Sequence, residues 1–173
     1  MDGPAGFGTA MDFDGNGDYI DCGADPAFDI TGTITVAAWA NIRSVVGNYV
    51  AVVAKGENAW RLSTVASARV YHFGITIWSS AYPSVNGVTA VGTGEWHHVC
   101  GTYDGSAINL YLDGVPDGSL ANTTTPIGIS TTNLLIGENP EATGRYWDGL
   151  IDEVIIYNRA LSKAEILYLM GER

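Results

Sequence analysis

Two Asp-Gly pairs in the stretch from Glu95 to Gly118 constrain the fold more than any other feature of the chain. Asp104-Gly105 and Asp113-Gly114 tolerate the positive φ angles that tight hairpin turns require. Between them, residues 107–112 place an apolar side chain at every second position, which is the period of a strand with one buried face. The stretch therefore predicts a meander of three antiparallel strands.

Similar short runs recur along the chain, with Gly, Asn, Asp, Ser and Pro between them, and 22 glycines suit many sharp turns. The predicted strands are Asp18–Cys22, Ile34–Asn41, Tyr49–Ala54, Ala59–Val65, Val70–Ile77, Trp96–Tyr103, Ile108–Leu112, Leu134–Ile136 and Ile151–Tyr157. A chain of 173 residues with 46% hydrophobic content can bury one core without disulfides. We predict an all-β fold, an antiparallel β-sandwich or jelly roll forming a single domain over residues 1–173.

One short helix is predicted near the C-terminal end of the chain. Ser162 can cap it, and Glu165 follows at the capping-box spacing. Leu161, Ile166 and Leu169 give this helix an apolar side. At the other end, we expect residues 1–9 to be a flexible or non-native N-terminal extension.

The charge of the chain argues against several partners. The formal net charge of −11 and a pI near 4.3 repel phosphate backbones, and the eight Lys and Arg residues are scattered. The absence of an apolar run of roughly 20 residues argues against membrane insertion. We expect a soluble, monomeric module that binds neither nucleic acid nor anionic membranes.

The two cysteines, Cys22 and Cys100, lie in separate predicted strands and could pair only if those strands were neighbours. We expect two buried free thiols. A catalytic cysteine served by His97 or His98 is the alternative, but nothing around Cys100 marks it as activated. The two adjacent histidines point to opposite faces of a strand, which disfavours a shared zinc ion.

Several segments in a fixed order carry a resemblance that covers nearly the whole chain. They are Phe13-Asp14-Gly15, Asp18-Tyr19-Ile20, Ile34 to Trp39, Lys55-Gly56, Glu95 to Val99, Tyr103-Asp104-Gly105, Leu110 to Gly114, Ile136-Gly137, Gly149 to Val154 and Tyr157 to Ser162. In these the chain resembles the laminin-G-like, concanavalin-A-like superfamily, in its bacterial jelly-roll form, and distantly the pentraxins. The resemblance implies two packed sheets with binding on a concave face or on edge loops. It also implies an extracellular or cell-surface location within a larger protein.

A calcium site is predicted from acidic residues at the two ends of the chain. Asp14 to Asp18 has the D-x-N-x-D spacing found in calcium loops, and calcium takes six to eight oxygen ligands. Asp152 shares a strand face with Val154 and Ile156, a core face on which an unpaired carboxylate is costly. In relatives, a structural calcium joins an N-terminal loop to an acid near the last strand, which implies a site of Asp14, Asp18 and Asp152. A salt bridge or hydrogen bond to Asp152 is the alternative.

Glycan-binding candidates come from aromatic residues and from two polar loops. Aromatic rings stack on sugar rings while amides and carboxylates bind the hydroxyl groups. In the pentraxins, which the chain distantly resembles, loops that correspond to 55–58 and 138–141 supply a ligand-binding calcium. The acidic loop is shorter here and carries fewer carboxylates, so we expect solvated loop acids, with a ligand-binding calcium as the alternative. The predicted ligand-binding residues are Trp60, Trp78, Tyr82, Glu57, Asn58, Glu138, Asn139, Arg145 and Tyr146.

Catalysis is disfavoured by the distribution of acids. Retaining glycosidases need two carboxylates about 5–5.5 Å apart, and the adjacent Asp152 and Glu153 point to opposite sides of a strand. No nucleophile elbow is present either. We therefore predict a noncatalytic carbohydrate-binding module with a structural calcium ion. The alternative is an adhesion module, a protein-interaction module or a spacer, which would show a flat apolar patch in place of a groove with exposed aromatic rings.

Overall fold

The computed structural model describes residues 1–44, 47–76, 82–121 and 126–171. Within these ranges, two six-stranded antiparallel sheets confirm the predicted all-β sandwich. The strands are β1 (Met11–Asp14), β2 (Ile20–Asp21), β3 (Ile34–Ile42), β4 (Ala51–Ala54), β5 (Trp60–Val65), β6 (Val70–Ile75), β7 (Ser84–Asn86), β8 (Trp96–Tyr103), β9 (Ala107–Leu112), β10 (Val115–Ala121), β11 (Leu135–Ile136) and β12 (Asp148–Tyr157). One helix, α1 (Lys163–Leu169), follows β12.

The first sheet has the order β1-β12-β3-β8-β9-β10, and the second has the order β2-β11-β4-β5-β6-β7. The predicted meander is confirmed as β8, β9 and β10, which pair in sequence. Asp113 and Gly114 have φ angles of 50° and 73°, as a tight two-residue hairpin turn requires. The long connection that brings β12 beside β3 is the crossover expected of a jelly roll.

The core lies between the two sheets and holds large aromatic side chains. Trp60, Trp147 and Phe73 are fully buried there. Gly101 on β8 faces Phe73 so closely that a Cβ atom at this position would overlap with the phenyl ring. A glycine is therefore required here for the sheets to approach each other at this point.

The outer face of the first sheet is covered by the two ends of the chain. Leu161 and Ile166 pack on Ala37 and Cys100, and the predicted capping box of Ser162 and Glu165 is formed. From the other end, the ring of Phe7 packs against Trp39 with centroids 5.8 Å apart. The N–H of Gly3 donates to the carbonyl of Gly8 at 2.8 Å, which closes residues 3–8 into a turn. Residues 1–9 thus pack on the sheet, and the expectation that they form a flexible or non-native extension stays a prediction.

A β-bulge in β12 changes which side chains face the core. The register with β3 shifts between Asp152 and Ile155, and Glu153 has a φ of 48°. Ile151 is a core residue before the bulge, and Val154 and Ile156 pack on the core after it. The extra residue reverses the alternation, so Asp152 is on the outer face opposite Trp39 and not on the core face predicted for it.

The two cysteines are free thiols in different environments. Cys100 is buried under α1, whereas Cys22 is exposed beside β2. Burial raises the pKa of the Cys100 thiol to about 12. The expectation of two buried thiols is therefore correct for Cys100 and wrong for Cys22.

Candidate functional site

The two polar loops predicted from the sequence meet at one end of the second sheet. Arg145 Nη1 donates to Glu57 Oε1 at 2.6 Å, and Asn139 Nδ2 donates to the same oxygen at 2.7 Å. Asn139 is fully buried, and its Oδ1 accepts from the N–H of Glu141 at 3.1 Å. Asn139 therefore shapes the loop from inside and offers no surface to a ligand, contrary to its prediction as a contact residue.

The acids of these loops are bound by internal donors. Glu141 Oε2 accepts from the N–H of Asn58 at 2.7 Å, and Oε1 accepts from Ser130 Oγ at 2.6 Å. Burial raises the pKa of Glu141, but these hydrogen bonds outweigh it and the pKa is lowered overall. Glu138 is buried and its Oε1 accepts from the N–H of Gly144 at 2.9 Å. These carboxylates hold the loops together and do not form the open calcium-binding cluster of a pentraxin-like site.

An open cleft of about 410 Å³ lies beside these loops, and we name it the tyrosine cleft. Its lining is Tyr19, Asp21, Thr132, Asn133, Leu135, Glu138, Pro140, Thr143 and Tyr146. Tyr19 is 50% exposed, and Tyr146 is half-buried. A hydrogen bond with Glu138 raises the pKa of Tyr146 and fixes the direction of its hydroxyl group. The cleft thus combines two aromatic rings with carboxylate and amide groups, the combination that binds sugars.

Asp21 and Asn133 form the polar side of the tyrosine cleft. Asn133 Nδ2 donates to both oxygens of Asp21, at 2.9 and 2.8 Å, and the N–H of Gly23 donates to Asp21 Oδ1 at 2.8 Å. Tyr19, Asp21 and Asn133 are not among the residues predicted from the sequence. The alternation around Ile20, which packs on the core, places Tyr19 and Asp21 on the outside, so a signal for these two was present in the sequence.

The remaining aromatic predictions have mixed outcomes. Trp60 is fully buried and cannot stack on a sugar, so its prediction as a binding residue is wrong. Tyr82 is 56% exposed, as a contact residue must be. Trp78 lies outside the described residues. Trp39 and Trp96, which are not among the predicted binding residues, are half-buried on the first sheet.

The three predicted calcium ligands are not brought together. Asp14 lies opposite Asp148 in the β1–β12 pair, four residues from Asp152, which is about 13 Å at the rise of a strand. Asp14 Oδ1 accepts from the N–H of Asn16 at 2.7 Å in a local turn. Nearby, Arg43 Nη1 donates to Asp148 Oδ1 at 2.8 Å, so the carboxylate opposite Asp14 is already paired with a guanidinium group. Across the ranges that the structure describes, no group of three or more His, Cys, Asp or Glu side chains is placed to hold a metal ion.

Asp152 nevertheless carries an unsatisfied oxygen. Its Oδ1 accepts from the N–H of Glu153 at 2.9 Å, but its buried Oδ2 has no hydrogen-bond donor among the described residues. A Cβ atom on Gly3 would lie 2.5 Å from Oδ2, so the N-terminal turn closes directly over this carboxylate. Leaving a buried carboxylate oxygen unpaired is costly, so this oxygen needs a cation or a hydrogen-bond donor as its partner.

The histidines differ sharply in their environments. His72 on β6 is buried and contacts Ser63 Oγ through Nδ1 at 3.1 Å. Burial, together with the positive charge of Arg61, lowers the pKa of His72 to about 3. Burial also lowers the pKa of His98, to about 4. His97 donates from Nδ1 to Asp113 Oδ2 at 2.8 Å, and this hydrogen bond raises its pKa.

Residues 14–167 match the family model of the concanavalin A-like lectin/glucanases superfamily. The chain belongs to this superfamily. The match spans both sheets of the sandwich and the start of α1, so the resemblance read from the sequence is confirmed. No curated protein matched the chain.

Solved structures with the same fold include proteins that bind carbohydrates. The binding domain of Paraclostridial Mosquitocidal Protein 1 is 14% identical with a TM-score of 0.79, and the match covers 98% of this chain but only 44% of that one. The CBM40 domain of the Ruminococcus gnavus IT-sialidase, bound to α2,3-sialyllactose, is 14% identical with a TM-score of 0.76, over 92% and 95% of the two chains. Domain 4 of AbnA, an extracellular GH43 arabinanase from Geobacillus stearothermophilus in complex with arabinotriose, is 19% identical with a TM-score of 0.63, over 95% and 89%. These likenesses establish the fold.

In the described part of the chain, no helix is long and apolar enough to cross a membrane.

Proposed function

We propose that the protein is a noncatalytic carbohydrate-binding module that binds a glycan in the tyrosine cleft. The observation that carries the proposal is the cleft itself, in which Tyr19 and Tyr146 stand beside Asp21, Asn133 and Glu138. A sugar ring needs an aromatic surface for its C–H face and polar groups for its hydroxyls. The cleft offers both within about 410 Å³, enough for a small number of sugar rings.

The structural neighbours support the proposal at the level of the fold. CBM40 of the sialidase and domain 4 of the arabinanase are modules of extracellular or glycan-processing proteins and were solved with oligosaccharides. By analogy, the chain works as a monomeric module of a larger secreted or cell-surface protein. An adhesion or spacer role would not need a cleft of this composition.

The binding test uses two cleft variants and one control. Tyr19→Ala and Tyr146→Ala remove the aromatic surfaces, and Tyr168→Ala removes an exposed ring on α1 that is 64% exposed and does not line the cleft. A glycan array followed by titration calorimetry should identify a ligand whose affinity falls about tenfold or more in each cleft variant, roughly 1.4 kcal/mol. The control variant should bind as the unchanged protein does.

Two results would end the proposal. One is the absence of any glycan bound by the folded protein, which would favour the adhesion or spacer role. The other is a bound glycan whose affinity is unaffected by both cleft substitutions.

We further propose a structural calcium ion at Asp152, without Asp14 and Asp18. The unpaired Oδ2 supplies an anionic oxygen next to the N-terminal turn, and calcium in such a site stabilises a fold by joining segments distant in sequence. A cation that binds only the folded state raises the melting temperature. Chelator should lower the melting temperature of the unchanged protein and leave Asp152→Asn unaffected, with Asp14→Asn as the control that still responds. An identical melting temperature with and without chelator would refute the calcium proposal.

A further inference from the structure

A buried arginine lies on the outer face of the second sheet, the face turned away from the core. Arg61 on β5 is 6% exposed, and its neighbours Trp60 and Leu62 point into the core. Its register partner on β6 is Gly74, where a Cβ atom would lie 3.4 Å from Arg61 Cζ. The glycine leaves room for the guanidinium to lie flat on the sheet. Arg61 Nε and Nη1 are buried and have no hydrogen-bond acceptor among the described residues.

Arg61 shares its counterion with a second arginine. Glu57 Oε2 lies 3.5 Å from Arg61 Nη1, while Glu57 Oε1 accepts from Arg145 Nη1 at 2.6 Å. Two guanidinium groups therefore face one carboxylate. The adjacent His72 is neutral at ordinary pH because burial and Arg61 lower its pKa to about 3. Arg61, Arg145 and Glu57 together thus carry a net charge of +1, from two guanidinium groups and one carboxylate, in a chain whose formal net charge is −11.

Tyr49 links the two arginines. Arg145 Cζ lies 5.3 Å from the centre of the Tyr49 ring, and Arg61 Cζ lies 5.8 Å from it. The ring also meets His72 edge-on, with centroids 5.0 Å apart. The backbone of Tyr49 has a φ of 61°, a conformation that costs energy in a tyrosine and that the surrounding contacts maintain. The half-buried ring is therefore held between two cations, one of them accessible.

Of the two arginines, Arg145 is the one a ligand can reach. Its side chain is 27% exposed, compared with 7% for Arg61. An anion bound to Arg145 would also be attracted by Arg61, whose charge is poorly screened because it is buried. A guanidinium group matches the planar geometry of a carboxylate and can donate two parallel hydrogen bonds to it.

We infer that Arg145, Arg61 and Tyr49 form a site for a carboxylate-bearing sugar on the outer face of the second sheet. Arg145 binds the carboxylate, Arg61 supplies charge beneath it, and the Tyr49 ring borders the sugar. The anion site is inferred from the two guanidinium groups that share one carboxylate. The assignment of its anion to a sugar rests on the proposed function. The site is separate from the tyrosine cleft, because none of its three residues lines that cleft.

The test compares acidic oligosaccharides with neutral counterparts of the same length. Oligogalacturonate is paired with oligogalactose, oligoglucuronate with oligoglucose, and sialyllactose with lactose, each titrated calorimetrically into the purified chain. At least one acidic member should bind about tenfold or more tightly than its neutral counterpart, which corresponds to roughly 1.4 kcal/mol. Arg145→Gln should abolish that preference without changing the affinity for the neutral sugar.

Matched variants distinguish binding at this site from attraction to a positive charge elsewhere on the surface. Arg159→Gln removes an exposed arginine paired with Glu165 Oε1 at 2.7 Å and should leave the preference intact. Arg61→Lys keeps a positive charge under Arg145 and should retain part of it. If acidic and neutral sugars bind equally, or if Arg145→Gln and Arg159→Gln behave alike, the inference fails. Binding of sulfated galactose oligomers without any uronate or sialoside would refute the carboxylate assignment.

The proposed function and this inference can fail independently. Loss of neutral-sugar binding in Tyr19→Ala, with no acidic preference in any pair, leaves the cleft as the binding site and refutes the arginine site. An acidic preference that depends on Arg145, together with neutral-sugar binding that neither Tyr19→Ala nor Tyr146→Ala reduces, refutes the cleft and supports the arginine site.

Discussion

Replacing His72 should change how the stability of the protein depends on pH. His72 is 2% exposed, and its ring is enclosed by Ser63, Tyr49 and Arg61, so protonating it would place a third positive charge beside two guanidinium groups. Its pKa is about 3 in the folded protein, compared with 6.5 for an unperturbed histidine. Between these two pKa values, His72 of the unfolded chain binds a proton that His72 of the folded protein does not. His72 therefore lowers the stability of the fold as pH falls below about 6.5.

The magnitude follows from the distance between the working pH and the unfolded pKa. A solution at about pH 5 lies roughly 1.5 pH units below the pKa of histidine in the unfolded chain. Each of these units corresponds to about 1.4 kcal/mol of unfolding free energy. His72 should therefore cost about 2 kcal/mol of unfolding free energy between about pH 7 and pH 5. That is a substantial part of the roughly 5–15 kcal/mol by which domains are stable.

The assay is urea unfolding of the unchanged protein and of His72→Gln, each at about pH 7 and pH 5. Glutamine does not titrate and can still accept a hydrogen bond from Ser63. The unchanged protein should lose about 2 kcal/mol more than His72→Gln on acidification. The comparison between the two proteins removes the contribution of the carboxylates, which titrate in both.

His97 provides a control of opposite sign. The hydrogen bond to Asp113 raises its pKa, so its protonated form stabilises the fold below the unfolded pKa and this stabilisation is lost as pH rises. His97→Gln should accordingly lose more stability than the unchanged protein on acidification. Equal pH dependence in the unchanged protein and His72→Gln would show that His72 is not held neutral by burial. It would also contradict the statement that His72 is neutral beside Arg61 and Arg145.

Three further substitutions test the packing. Gly101→Ala should reduce the unfolding free energy measured by urea unfolding by about 1–3 kcal/mol, because the added methyl group would overlap with Phe73. An unchanged unfolding free energy would contradict the close approach of the two sheets at this point. Ser162→Ala should reduce the unfolding free energy by about 1 kcal/mol by removing the helix cap, and it should increase the rate at which thiol reagents label Cys100. An unchanged labelling rate would mean that α1 does not protect Cys100. Arg61→Met should leave the melting temperature unchanged or raised, because it removes a buried cation that shares its only carboxylate partner among the described residues, Glu57, with Arg145. A loss of several degrees would show that Arg61 stabilises the fold.

The fold could be predicted because its signals are local. The turn at Asp113-Gly114 and the alternation of β9 specify a hairpin from a few adjacent residues, and the cap at Ser162 specifies the start of α1. The bulge after Asp152 is different. One extra residue reverses the face of every side chain before it relative to those after it, and the apolar pattern of β12 fits both registers.

The candidate site was only partly predictable because it depends on contacts between distant segments. The resemblance to pentraxins indicates the polar loops around Glu57 and Glu138. Whether their acids face a ligand or each other's amides is decided by the approach of residues about 80 positions apart. Trp60 is wrongly predicted as a binding residue because an aromatic residue at the start of a strand carries no local indication of which face it takes. For the same reason, the strand pattern does not mark its neighbour Arg61 as a candidate.

Cys22 gives this protein a built-in attachment point for a reporter. It is the exposed member of the two cysteines, it follows Asp21 of the tyrosine cleft, and its N–H donates to the carbonyl of Leu134 next to Asn133. Partial burial and the neighbouring Asp21 raise its pKa, so a mildly alkaline maleimide reaction would suit it, while Cys100 stays protected under α1. An environment-sensitive fluorophore coupled at this thiol would signal occupancy of the cleft optically, without adding a cysteine to the chain.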